Sequence, residues 1–227
     1  MSQRVALFKE VVMSVRETIY KKALGILQMD YEDMTRDDGR VKEKEYCADS
    51  IETACYSAMA GGNYYWLIES CDCTSRLFDW YDKTTGLKYD GTPEDTTDYE
   101  ERPRTFHGFT FGYTVPSNMY KFHLADGKKN IGYARKGKEI YFLQDVKSFD
   151  YIKNIIPELD EESWDYPAPF TDLIAAMLAV AIAPMVAPEG TFGQNATTKM
   201  QIAAAACSDI NNAAYNEYRP NPKEYIQ

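Results

Sequence analysis

The sequence is poor in the residues that most chemistry needs. It has two histidines, His107 and His123, and five cysteines at irregular spacing, Cys47, Cys55, Cys71, Cys73 and Cys207. An odd, scattered cysteine set does not read as a disulfide framework. A structural zinc site wants two closely spaced ligand pairs, and Cys71-Asp72-Cys73 is the single close pair here. No metal or other cofactor is therefore expected. No Gly-x-Gly-x-x-Gly and no Walker-type loop is present, so nucleotide cradles of those kinds are excluded. The longest apolar run, 173–187, is fifteen residues and contains Pro184. That is short of the roughly 20 residues a spanning helix needs, so it reads as a buried core helix and no membrane partner is expected. The first six residues carry neither an apolar core nor a cleavage-like site, so the chain is expected to be soluble, with its thiols reduced in a cytosol.

Positive charge is also scarce, with 25 Lys and Arg against 35 Asp and Glu. A net charge of −10 argues against a protein that wraps nucleic acid tightly, which needs a basic footprint. The distribution is uneven. Residues 1–50 carry −1 and 51–105 carry −6, then 106–156 carry +4 and 157–227 carry −7. A basic block between acidic ones would let one copy meet another head to tail. Tyrosine is abundant, at 18 residues, and its apolar ring with a polar tip suits interfaces.

Apolar periodicity predicts helices at both ends. Val5, Phe8, Val12, Val15, Ile19 and Ile26 form a stripe through 4–28. A polar connection over 30–45 follows, then a helix over 45–60 with Cys47, Ile51, Ala54, Cys55 and Ala58 inward. Gly61-Gly62 is expected to end it in the left-handed conformation. Residues 64–68 read as a short, buried aromatic cluster. Pro167 and Pro169 mark a non-helical junction. A helix with Phe170, Leu173, Ile174, Met177, Leu178, Ala181 and Ile182 on one face comes next, closed by Pro184, Pro188 and Gly190. A last helix over 196–218 points Ile202, Ala203, Ala206, Cys207, Ile210, Ala213 and Ala214 inward.

Between them the period is two. Residues 76–81 and 87–89 read as a hairpin, 90–104 as a long acidic surface loop, and 106–115 as the clearest strand. Tyr120, Phe122 and Leu124 alternate in a second strand. Shorter strands over 131–134 and 139–143 flank turns at 125–127 and 135–138. The expected fold is α+β: a helical domain from 1–70 and 157–218, an inserted antiparallel β-meander or sandwich over 71–156, and an extended tail over 219–227.

The side chains singled out for contact are Lys128, Lys129, Arg135, Lys136 and Lys138, on lysine-rich hairpin tips. Such tips serve an interface or nucleic-acid contact, and they also keep β edges soluble. No catalytic residue is assigned. The alternatives left open are a thiol- or histidine-dependent hydrolase using Cys71, Cys73, His107 or His123, and a nucleic-acid-binding accessory module.

Several stretches together resemble the tail tubular protein A family, the head-to-tail connectors of short-tailed bacteriophages. They are Ala23-Leu24-Gly25-Ile26-Leu27, the small-residue helix at 54–58, and Tyr64-Tyr65-Trp66. The strongest is Phe109-Thr110-Phe111-Gly112-Tyr113-Thr114-Val115-Pro116. Tyr151-Ile152, Phe170 with Leu173, Leu178-Ala179 with Ile182-Ala183, and the alanine-rich 203–215 complete the pattern, which covers about 18–220. Residues preceding that span and the acidic loop 90–104 depart from it. The resemblance implies a non-enzymatic virion protein at the portal vertex, assembled in the host cytoplasm. Its copies would form a ring, a dodecamer in that family, with the portal protein above and the tail tube or nozzle below. Packaged DNA would pass through without sequence-specific binding.

Overall fold

The structure is a computed structural model that describes residues 13–29, 41–128, 130–161, 164–186 and 191–217. Its described residues form four α-helices and three small antiparallel sheets, an α+β fold. The chain divides into two compact units, one from residues 1–66 and 155–227, the other from 67–154. The strand Ile68–Asp72 belongs with the sheets, which moves the first junction upstream of residue 70.

In the helical unit, α1 spans Val15–Ile26. It starts where a capping box says it should: the Ser14 hydroxyl accepts from the Glu17 N–H at 3.3 Å, with a glutamate at the third helical position. It stops in a Schellman-type turn, with the Met29 N–H on the Leu24 carbonyl and Gln28 left-handed at φ 59°. Residues 1–12, which carry Val5, Phe8 and Val12 of the predicted stripe, lie outside the described residues, as do 30–40 of the polar connection.

Helix α2 spans Val41–Ala60, so it begins ahead of residue 45, and Cys47, Ile51, Ala54, Cys55 and Ala58 are all buried as expected. Neither Gly61 nor Gly62 is left-handed. Gly62 is small for a different reason: a Cβ there would come within 2.8 Å of the Tyr64 ring. Of the aromatic cluster, Tyr64 stacks on Trp66 at 4.8 Å and both meet Phe170 edge-on, whereas Tyr65 is 46% exposed.

Helix α3 spans Ala168–Val186. Pro169 is therefore inside its first turn, where a missing N–H costs nothing, instead of in a junction before it. Pro184 falls in the last turn and does not end the helix, while 187–190 lie outside the described residues. By length and composition α3 could cross a membrane, and 56% of its apolar stretch is buried. It packs against α1, α2 and α4, so burial runs nearly round it: Ala175, Ala176 and Ala179 are covered beside the predicted face, and Ala181 is exposed. Helix α4 spans Phe192–Glu217 and buries Ala196, Ala203 and Cys207. Ile202 and Ala213, predicted inward, are exposed, because α4 lies on α3 with one narrow face. The tail 219–227 lies outside the described residues.

The described residues of the β unit form nine strands: β1 Ile68–Asp72, β2 Phe78–Asp82, β3 Lys88–Tyr89, β4 Tyr99–Pro103, β5 Phe111–Thr114, β6 Met119–Ala125, β7 Tyr133–Lys136, β8 Glu139–Phe142 and β9 Ser148–Lys153. They form three sheets, ordered β1-β9-β6, β3-β2-β4 and β5-β8-β7, so the chain is not one continuous meander. Four expectations change. A third of the acidic loop 90–104 is strand β4, paired along the whole of β2. The long strand 106–115 shortens to β5, because His107 (φ 49°) and Gly108 (φ 87°) turn Phe106 back onto Phe109. In β6, register shifts at Met119/Lys121 and Phe122/Leu124 replace strict alternation: Met119, Phe122 and Ala125 are buried, and Tyr120 and Leu124 are half-buried. Arg135 and Lys136 belong to β7, and the turn narrows to Gly137-Lys138.

Opposite Gly112 in the β5–β8 pairing stands Tyr141, whose ring lies over the glycine; a Cβ there would sit 2.8 Å from Tyr141 Cε1. The core of this unit joins Tyr113, Val115, Met119, Phe122, Ile140, Phe142, Phe149 and Tyr151.

Candidate functional site

The basic residues singled out by sequence do not form one patch. Lys128 is exposed beside the Asp126-Gly127 turn, both of whose central residues have positive φ. Lys129 lies outside the described residues. Arg135 and Lys136 are neighbours on β7 and so face opposite ways. The Arg135 guanidinium donates to the carbonyls of Gly137 and Tyr120, both at 3.2 Å, which makes it a brace for the start of β6. Lys136 turns the other way, with Nζ 5.6 Å from the centre of the Phe106 ring. Lys136 and Lys138 together line a hollow of about 520 Å³ with Asp79, Lys88, Arg104, Thr105, Glu139 and Tyr141.

That hollow is built from four strands and one turn. Asp79 comes from β2, Lys88 from β3 and Glu139 from β8, Arg104 and Thr105 directly follow β4, and Lys138 sits in the β7–β8 turn. Asp79 Oδ1 accepts from Arg104 Nε at 2.8 Å, and its Oδ2 lies 2.9 Å from Lys88 Nζ. Arg104 bonds on to Glu139, which also accepts from the Tyr141 hydroxyl. Burial alone would raise the Asp79 pKa. The hydrogen bonds from Lys88 and Arg104 outweigh it, so the carboxyl is held below its ordinary value and is ionised at neutral pH. Burial would lower the Arg104 pKa, and the two carboxylates reverse that. Asp79, Lys88, Arg104 and Glu139 were not singled out by sequence. Arg104 directly follows strand β4, which stays hidden while 90–104 reads as a loop.

The residues of the hydrolase alternative do not converge by strand pairing. His107 is exposed in its tight turn, while β6, which carries His123, pairs with β9. Cys71 and Cys73 pack against the β core. Burial, with nearby Cys71 and acidic groups, pushes the Cys73 thiol up to about 12, and burial also raises Cys71. A thiol in that range is scarcely ionised at neutral pH, and the thiolate is the nucleophile. Among the described residues no three His, Cys, Asp or Glu side chains group as metal ligands would.

Two further tyrosines of this unit share with Tyr141 the pattern of hydroxyl on carboxylate. Tyr113 donates to Asp145 at 2.6 Å, and Tyr151 donates to Glu69 at 2.7 Å with Asn118 also bonded to that carboxylate. Burial first, and the carboxylate second, raises Tyr113, Tyr141 and Tyr151 to about 12 each.

No family model matches the chain, and no curated protein matches it.

Proposed function

We propose that this chain is a structural virion protein, a head-to-tail connector whose copies form a ring between portal and tail tube or nozzle, with packaged DNA passing through it. The observation that carries the reading is the uneven charge along the chain, +4 over residues 106–156 against −7 over 157–227. Lys128, Arg135, Lys136 and Lys138 are exposed in the first of these segments, and Asp160, Glu161, Asp165, Asp172 and Asp209 in the second. A ring needs two different patches on each subunit, each complementary to the other, and oppositely charged segments supply such a pair. The segment resemblance to the tail tubular protein A family points the same way, and the raised thiols speak for no thiol chemistry.

Negative-stain imaging of the purified chain, with and without portal particles, tests the reading. Rings that form with the portal are the expected result, and a stable monomer that ignores portals overturns it. Charge reversal at Lys128, Lys129, Arg135 and Lys136 is expected to abolish the rings; rings that persist would remove the electrostatic interface from the proposal.

A further inference from the structure

The hollow around Arg104 holds more positive charge than its own acids neutralise. Four cations line it, Lys88, Arg104, Lys136 and Lys138, against two carboxylates, Asp79 and Glu139. Both carboxylates are engaged: Asp79 holds Lys88 and Arg104, and Glu139 holds Arg104 and Tyr141. Among the described residues Lys136 and Lys138 form no ion pair, and both are exposed at the rim. The Asp79 and Glu139 bonds use Nε and one terminal nitrogen of Arg104, which leaves the other terminal nitrogen with its two donors. Thr105, whose side chain is a neutral donor, lines the same hollow.

We propose that this hollow binds a phosphate group. Two uncompensated lysines match the charge of about −1.5 to −2 that a phosphate monoester carries at neutral pH. Its oxygens accept from several directions at once, as a guanidinium, two ammonium groups and a hydroxyl require. The acids are part of the site: they fix Arg104 so that its free edge stays turned to the ligand, and they cancel the charge that would make the lysines repel Lys88 and Arg104. A second hollow of about 320 Å³ shares Asp79, Lys88 and Arg104 and adds Trp80 and Tyr89. Those rings give a sugar or base attached to the phosphate a face to stack on. The shared chemistry is the phosphate, whether free or carried in a nucleic-acid backbone. The site is complete within one β unit and does not require the ring, although Lys136 also belongs to the interface proposed for it.

The test uses the full chain and two probes: inorganic phosphate followed by calorimetry, and a short fluorescent dT oligonucleotide without terminal phosphate followed by anisotropy. Saturable binding of at least one is expected. Phosphate alone assigns the site to a free or monoester phosphate, and the oligonucleotide alone assigns it to the backbone. Lys136→Gln with Lys138→Gln is expected to weaken that binding about tenfold or more, since two charge-assisted bonds are lost. Lys128→Gln, on another turn, is expected to change it by less than about twofold. Thr105→Val, which leaves every ion pair in place, is expected to weaken it by about threefold, and it serves where the double variant fails to fold. The proposal is overturned if neither probe saturates, if the lysine variant binds like the wild type, or if Lys128→Gln costs as much. It is also overturned if phosphate has no effect and the lysine variant instead changes the oligomeric state, which would make the hollow a contact between copies.

Discussion

The two units of this chain hold themselves together by different means. The helical unit is organised around α3, where Phe170, Leu173, Ile174, Leu178 and Ile182 are buried and small residues between them bring neighbouring helices close. Its buried positions are mostly apolar, with Thr171 and the hydroxyl of Tyr20 among the exceptions. The β unit has short strands in three sheets of three, and little depth in which to bury side chains. It closes its core with tyrosines that are half core and half network, rings inward and hydroxyls on Asp145, Glu139 or Glu69. A thick helical core can rest on apolar area alone, whereas a thin β layer must satisfy the polar groups that its edges force inward.

The largest effect expected from breaking this contrast is in the helical unit. Phe170→Ala removes a fully buried ring that touches Tyr64, Trp66 and Tyr166. It is expected to cost about 3–5 kcal/mol, read as a shift in the denaturant midpoint of the far-ultraviolet helical signal. A cost below about 1 kcal/mol would mean that the site collapses around the gap and that α3 is not the rigid centre described.

In the β unit the comparable fault is one of crowding. Gly112→Ala places a Cβ at 2.8 Å from the buried Tyr141 ring. The ring cannot swing away without breaking its bond to Glu139, so the cost is expected at about 1–3 kcal/mol, measured by the same denaturant titration. Asp79→Asn strikes the same region electrostatically. The native Asp79 pKa is depressed, so its contribution to stability is present above the unfolded-state value and is lost as pH falls through the lower folded value. Stability measured across the acid range is expected to fall less steeply in the variant. An unchanged slope would show that the Asp79–Lys88–Arg104 bridge is not formed in solution.

The tyrosines sharpen the comparison from the alkaline side. Tyr113, Tyr141 and Tyr151 are held protonated up to about 12. Their folded pKa values are raised, so the stability they lend is complete below the ordinary tyrosine value of about 10 and is lost as pH rises through about 12. An absorbance titration of the 18 tyrosines is expected to show a late group. Tyr151→Phe is expected to remove one member of it at a cost of about 0.5–1.5 kcal/mol.

Legibility followed the same division. The helices were readable because an apolar face repeats over many turns: the α2 positions Cys47, Ile51, Ala54, Cys55 and Ala58 are buried as the spacing predicts. Where the pattern misled, a neighbour was responsible. Helix α3 is covered nearly all round, so its true environment exceeds any one stripe. The alternation of Phe78 and Trp80 was visible, but β1 and β4 were not, since Tyr99, Glu100, Glu101, Arg102 and Pro103 are partly or fully exposed and carry no apolar alternation. In β6 the bulges change the period from two to three, which no count of alternating residues reveals. The candidate site suffered most. Lys136 and Lys138 read as charged tips, but Asp79, Lys88 and Arg104 line the same hollow from a different sheet, 32 to 59 positions away, and the meeting of two sheets is not written in local sequence.

The smallest expected effect tests whether surface charge matters within the helical unit at all. Arg16 reaches Asp160 with Nε at 2.6 Å and a second nitrogen at 3.0 Å, a two-pronged geometry that holds α1 against the 3₁₀ turn Ile156–Asp160. The Arg16 pKa is raised, first by that hydrogen bond, and Asp160 is correspondingly lowered. Yet the Asp160 side chain is 71% exposed, so water and salt screen most of the attraction. Asp160→Asn is expected to cost less than about 1 kcal/mol, and the difference from wild type is expected to vanish near 1 M salt. A larger, salt-resistant loss would place an electrostatic clamp in the helical unit as well. The contrast between an apolar helical core and a β unit tied by charged hydroxyl pairs would then be one of degree, set by how much of each pair its surroundings cover.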